Sequence, residues 1–155
     1  MLILMRKLLK SRWLLFGVYP SAVVLIGPLV LFLGYVWSHV WVQDLPGGRH
    51  GPLDAYRHTL ASAVLSYVLD HGIRPGAGAA AVDIVCLVME NGELRSNVMD
   101  RHNNRLGSHI GARSTSFSAI EPEVSRAVAA GAMGATRHDQ VTWLPERDWQ
   151  PGIFW

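Results

Sequence analysis

The sequence predicts an all-α protein: one N-terminal transmembrane helix, then a small helical bundle, then an extended C-terminal strap. Three observations lead to this fold class. Residues 13–37 contain no charged side chain, and residues 140–155 are rich in proline and tryptophan. The segments between them carry apolar residues at helical spacing. A chain of 155 residues is long enough for one ordinary domain and an anchor.

The N-terminal third predicts a basic cytoplasmic tail at 1–12, a transmembrane helix at 13–38 and a linker at 39–50. The uncharged run is longer than the ~20 residues that a helix needs to cross a bilayer. It also exceeds the apolar core of a signal peptide, and the residues after it are bulky, unlike a cleavage site. An uncleaved signal-anchor is therefore favoured over a cleaved signal peptide.

The charge distribution predicts the orientation of this anchor. Four basic residues precede the apolar run, and the next basic residue in the chain is Arg49. The excess of positive charge places the N-terminus in the cytoplasm and the main domain on the other side of the membrane. Residues 41–155 hold 10 Arg against 12 Asp and Glu, a net charge of −2. Because no basic stripe remains there, nucleic acid is not an expected partner.

The main helical domain is predicted to span residues 51–139 and to contain four helices. Turn residues and capping patterns mark their ends. The first begins at Gly51-Pro52, where proline suits the first helical position, and the fourth has Pro122 in its first turn. The predicted helices cover 51 to about 70, 76–91, 97 to about 112, and a short segment after Ser118.

Two dense polar clusters stand out in this otherwise apolar domain, Asp54 to His58 and Met99 to Gly107. Burying so many polar groups costs free energy unless each group is paired or used. Asp54 and His58 are one helical turn apart, and a carboxylate beside an imidazole suits a general base or a metal ligand. On the third helix, Asp100, Asn103 and Asn104 are predicted to share a face with Gly107.

Three interpretations of these clusters are open. A metal-free catalytic site would use a histidine as general base, a carboxylate to orient it, and an amide or guanidinium to stabilise an oxyanion; the candidates are His58, His102, Asp54, Asp100, Asn103, Asn104 and Arg57. A metal site would bind zinc, manganese or iron through His58, Glu90, Asp100 and His102. The third interpretation is a purely structural network of caps and buried pairs.

The metal interpretation meets a geometric objection. The side chains of Asp100 and His102 are about 200° apart on an ideal helix, so both cannot point at one ion if the helix is regular.

The two clusters also resemble a family of poorly characterised bacterial domains that occur in membrane-anchored or secreted proteins. The similar elements are Asp-Ala-x-Arg-His at residues 54–58, an acid at Glu90, and Met-Asp-x-His-Asn-Asn-x-x-Gly at residues 99–107. The resemblance implies a compact helical fold with these residues gathered in one place. Similar domains carry a His-Glu pair at the end of the second helix, where this chain has Met89-Glu90.

Together these observations lead to an expectation of function. The chain is expected to be a single-pass protein of the bacterial inner membrane, with the main domain in the periplasm. Its polar site would act as a hydrolase on a lipid or cell-wall component, with a divalent metal as the one cofactor considered. The alternative is a non-enzymatic accessory or assembly subunit that binds another envelope membrane protein, in which the polar cluster is structural.

Overall fold

One central helix organises the bundle. In the computed structural model, which describes residues 26–152, α1 spans Pro52–Gly72. It packs against α2 (Ala77–Met89), α3 (Arg95–Arg113) and α4 (Phe117–Ala129). The described part of the chain is thus mostly helical, which confirms the predicted helical bundle, and the helix ends lie close to those predicted.

The core forms where α1 is covered from several sides. Tyr56 and Leu60 of α1, Ile110 of α3, and Ile120 and Val124 of α4 are almost completely buried. The first half of α1 is buried around most of its circumference, including its charged residues. A helix buried in this way needs neighbours on several sides, and α2, α3 and α4 supply them.

Two glycines of α3 set the distance between α1 and α3. A Cβ atom at Gly107 would collide with the backbone oxygen of Thr59, and one at Gly111 would collide with the backbone oxygen of Ala63. The two helices therefore approach so closely that only glycine fits at these contacts. The face of α3 that carries Gly107 thus lies directly against the backbone of α1.

Helix α2 packs against the bundle through one narrow row of buried residues. Gly78, Val82 and Cys86, four residues apart, are buried against the rest of the domain. Gly78 lies directly against Ser66 of α1. Most of the remaining surface of α2 is exposed although it is apolar, including Ile84, Leu87 and Val88.

The C-terminal residues run across the helices in mainly extended conformation. A two-stranded parallel sheet pairs β1 (Ala132–Met133) with β2 (Thr142–Trp143), and a short 3-10 helix follows at Glu146–Asp148. Val141 and Thr142 are buried. The sequence predicted the strap but not these short strands, because two-residue strands have no periodicity of their own.

The N-terminal region forms a separate unit. The chain divides into two units, Met1–Trp37 and Ser38–Trp155. Residues 26–40 are helical, whereas the predicted tail at 1–12 and the first half of the predicted membrane span at 13–38 lie outside the described residues. Within residues 26–152 no helix combines the length and apolar character needed to cross a bilayer. The transmembrane helix therefore stays a prediction.

Candidate functional site

Three helices bring a group of acids to one histidine. Asp54 and His58 lie one turn apart on α1, Glu90 directly follows α2, and Asp100 lies early in α3. Together they line a cavity of about 200 Å³. The other residues that line it are Arg49, Arg57, Met89 and Asn97.

The imidazole of His58 is the centre of this group. Its Nε2 atom lies 3.5 Å from Oδ1 of Asp54 and 3.5 Å from Oδ1 of Asp100. On the other side of the ring, Nδ1 lies 3.2 Å from Oδ1 of Asn104 and 4.0 Å from Oε1 of Glu90. The side chain of His58 is only 11% exposed, so these atoms determine its protonation.

The amide of Asn104 fixes the tautomer of His58. Its Oδ1 accepts a hydrogen bond from Oγ of Ser62 at 2.9 Å, and its Nδ2 contacts Sγ of Cys86 at 3.6 Å. In this amide orientation Oδ1 is the atom that faces Nδ1 of His58, at 3.2 Å. Since Oδ1 can only accept, Nδ1 of His58 carries the proton. In the neutral ring Nε2 then has a free lone pair that faces Asp54 and Asp100.

Asp54 is held firmly in place. Its Oδ1 is paired with the guanidinium of Arg57, and its Oδ2 accepts a hydrogen bond from the backbone N–H of His50. Both side chains of the Asp54–Arg57 pair are about 95% or more buried. A carboxylate oxygen has two lone pairs, so this arrangement leaves Asp54 able to accept a further partner.

The site brings together more carboxyl groups than basic side chains. Asp54, Glu90 and Asp100 face one buried cation, Arg57, while Arg49 is only half-buried at the cavity wall. Burial, together with the neighbouring carboxylates of Asp54 and Glu90, raises the pKa of Asp100 to about 8. Burial lowers the pKa of His58 although the same carboxylates oppose this change. Both shifts keep formal charge out of a site that water barely reaches.

Glu90 is positioned through its backbone. The guanidinium of Arg101 donates to the carbonyl oxygens of Glu90 at 2.6 Å and Gly92 at 2.7 Å. These are carbonyls at the end of α2, where the helix has no internal donors for them. Arg101 thereby ties the end of α2 to α3 and holds the acid near His58.

Two of the predicted site residues lie elsewhere. His102 directs Nε2 to the backbone oxygen of Gln140 at 2.7 Å. Asn103 donates to the backbone oxygen of Thr142 at 2.8 Å and accepts from its backbone N–H at 3.0 Å. Both side chains therefore hold the C-terminal strap. The structure brings together the other predicted catalytic residues, which are Asp54, Arg57, His58, Asp100 and Asn104.

The group with the best geometry for a metal ion differs from the predicted set. One ligand atom from each of Asp54, His58 and Asp100 lies within 4.8 Å of the others. The sequence had proposed Glu90 and His102 in place of Asp54. His102 lies on a different face of α3 from Asp100, as the angle of about 200° between them requires.

Several contributors to the site were not assigned to it from the sequence. Ser62 is one of them, because its hydroxyl donates a hydrogen bond to Asn104. Its position one turn after His58 was the available signal. Cys86 is buried, and burial raises the pKa of its thiol. Arg49 and Asn97 line the cavity from outside both clusters, where the local pattern gives no signal.

Comparisons with protein-family models, curated proteins and solved structures find no match to this chain. The resemblance of the two polar clusters to the bacterial domain family therefore stays a prediction.

Proposed function

We propose that this protein is a hydrolase of the bacterial envelope, anchored in the inner membrane by its N-terminal helix, with the main domain in the periplasm. The observation that carries the proposal is the lining of the cavity. There the free lone pair of His58 Nε2 lies beside two buried carboxyl groups, Asp54 and Asp100. Such a group can activate water, either directly as a general base or through a bound cation.

The pKa values of the site support this proposal. Burial pushes the pKa of His58 down and that of Asp100 up. Titratable groups whose environments shift their pKa values in this way are concentrated at catalytic sites. A structural network would more simply pair each acid with a base. The expected substrates are a membrane lipid or a cell-wall component, since a periplasmic domain near the membrane would meet both.

The test is hydrolysis by the full chain purified in a mild detergent. Phospholipid vesicles and isolated peptidoglycan are supplied separately, and released fatty acid, phosphate or soluble wall fragments are measured. Loss of a general base typically costs about 10²–10⁴-fold in rate, so His58→Gln should abolish most of the activity. The matched control is His109→Ala, an exposed histidine of α3. No release from either substrate, or equal rates for wild type and His58→Gln, would count against a hydrolase.

A second candidate function is favoured by a different observation. The outer side of α2 exposes apolar residues, among them Leu87 at 72% and Val88 at 69%. A contiguous apolar surface on a small domain is typical of an interaction site. This supports an accessory subunit that binds another envelope membrane protein. A photo-crosslinking residue at Val88 should then form one discrete adduct in native membranes, and one at the exposed His138 should not.

A further inference from the structure

The two distances at His58 Nε2 need an explanation. Oδ1 of Asp54 and Oδ1 of Asp100 each lie 3.5 Å from this nitrogen. Since Nδ1 holds the ring proton against Asn104, the lone pair of Nε2 faces two oxygen atoms that also carry lone pairs. This arrangement is unfavourable in a buried site unless a positive species, either a proton or a metal ion, lies between these atoms.

The distances favour a metal ion over a proton as that species. A proton shared between a carboxyl oxygen and the imidazole would draw the two atoms to less than about 3.2 Å. Two ligands of a tetrahedral ion with bonds of about 2.1 Å are instead about 3.4 Å apart. Both 3.5 Å distances at His58 match the separation of two metal ligands. The carboxylate oxygens of Asp54 and Asp100 also lie within 4.8 Å of each other.

The charge of the site and its hydrogen bonding also favour a bound metal ion. With His58 neutral and Asp100 ionised, three carboxylates face the two arginines of the cavity, Arg49 and Arg57, so negative charge is in excess. Among the described residues, Oδ1 of Asp100 has no hydrogen-bond partner although it is buried. A divalent cation would offset the excess negative charge and would give Oδ1 of Asp100 a partner.

We infer that Asp54, His58 and Asp100 form a three-ligand site for a first-row divalent cation, with zinc as the first candidate. Calcium and magnesium are disfavoured because they prefer oxygen ligands alone, whereas mixed imidazole and carboxylate sites suit zinc, manganese or iron. Three protein ligands would leave one position free, as in catalytic rather than structural zinc sites, and all three residues line the 200 Å³ cavity. A catalytic role for this cation rests on the proposed hydrolase function. Cation binding itself can be measured without a substrate.

Asn104 is the positioning residue of this site. A histidine that binds a metal through one nitrogen usually donates its other N–H to an oxygen, and mutation of that partner costs about 10–100-fold in metal affinity. Asn104 accepts from His58 Nδ1 and is itself oriented by Ser62. A graded response is therefore expected: the loss of a ligand should weaken binding more than the loss of Asn104.

The experiment titrates the chelator-treated full chain, without a histidine tag, with Zn²⁺ and Co²⁺ by calorimetry. Wild type should bind one ion per chain, and Co²⁺ should show the visible absorption bands of a low-coordinate site. Asn104→Ala should bind about 10–100-fold more weakly, and Asp100→Asn more weakly still. The control is Asp83→Asn, an exposed acid of α2 with 61% side-chain exposure, which should bind as wild type does.

Two results would overturn the inference: a wild type that binds less than one ion per chain, or ion affinities that are equal in wild type, Asp100→Asn and Asn104→Ala. Circular dichroism in chelator shows whether each variant is folded. If Asp100→Asn is not folded, three other results test the inference. They are the wild-type stoichiometry, the Co²⁺ spectrum and the affinity of Asn104→Ala. Hydrolysis without cation binding would refute the metal site alone, and binding without hydrolysis would refute the hydrolase alone.

Discussion

Adjacent residues with the same chemistry have different roles in this protein. Asn103 and Asn104 follow each other on α3, yet Asn103 binds the backbone of Thr142 while Asn104 orients His58. The pairing of Asp54 with His58 could be predicted from sequence, because both lie on one helix one turn apart. The separation of the two asparagines could not, because it depends on how α3 is rotated against its neighbours.

At the same scale, the carboxyl group of Asp100 should make stability depend on pH. Its pKa is about 8 in the folded protein and about 3.9 in an unfolded chain. A raised pKa in the folded state means that the stabilising contribution is complete below about pH 4 and is lost as the pH rises towards 8. In chelator, the free energy of unfolding should therefore fall between about pH 5 and pH 8, by at most about 1.4 kcal/mol per pH unit.

Urea unfolding of wild type and Asp100→Asn at several pH values measures this dependence. The amide cannot ionise, so the variant should lose most of the slope. If both proteins show the same slope over this range, the carboxyl group of Asp100 is not the group that titrates.

Among the secondary-structure elements, α3 combines three functions in four residues of one six-residue segment. In the His-Asn-Asn-x-x-Gly segment, His102 and Asn103 hold the strap, Asn104 faces the site, and Gly107 contacts the backbone of α1. The helix and its ends could be predicted from the capping pattern and spacing. The assignment of residues to three partners could not, because the positions of α1 and the strap around α3 are tertiary features.

Removing the side chain that holds the strap should destabilise the domain. Asn103→Ala leaves the buried N–H and C=O groups of Thr142 without their partner. Each unsatisfied buried group costs about 1–3 kcal/mol, so we expect a loss of about 2–4 kcal/mol in the free energy of unfolding, measured by urea titration. His102→Ala, which removes one bond to a partly exposed carbonyl, should lose clearly less. Equal stability of Asn103→Ala and wild type would refute this role.

The close contact of α1 and α3 should tolerate no added methyl group. Gly107→Ala places a Cβ against the backbone oxygen of Thr59, which cannot move without shifting the helix. Such overpacking typically costs about 1–3 kcal/mol, and the melting temperature should fall accordingly. Gly72→Ala is the control, because nothing lies within 4 Å of a Cβ there. A Gly107→Ala protein as stable as Gly72→Ala would show that the helices can separate at little cost.

For the molecule as a whole, composition and hydrophobic periodicity were enough to predict a helical bundle with an extended C-terminal segment. The apolar outer side of α2 was not anticipated, because apolar residues on a helix are normally assigned to a core. The membrane span, the orientation and the envelope location remain predictions from the charge distribution and the apolar run.

The orientation of the chain can be tested with single introduced cysteines in a Cys86→Ala background. We expect Thr136→Cys, in an exposed loop of the main domain, to react with a membrane-impermeant maleimide in spheroplasts. Ser11→Cys, in the basic N-terminal segment, should react only after the membrane is opened, because positive charge keeps that segment in the cytoplasm. The reverse labelling pattern would place the main domain in the cytoplasm.

The glycine contacts between α1 and α3 also bear on how this chain can vary in length. They fix the rotation of α3 about its axis as well as its distance from α1, since Gly107 and Gly111 must both face backbone oxygens. One residue inserted between Asn103 and Gly107 would turn the earlier part of α3 by about 100° relative to these contacts. Asp100 would then leave His58, and Asn103 would leave the strap. Insertions and deletions should therefore be accepted in the loops between helices, whereas within α3 even a single one should abolish the site and the fold together.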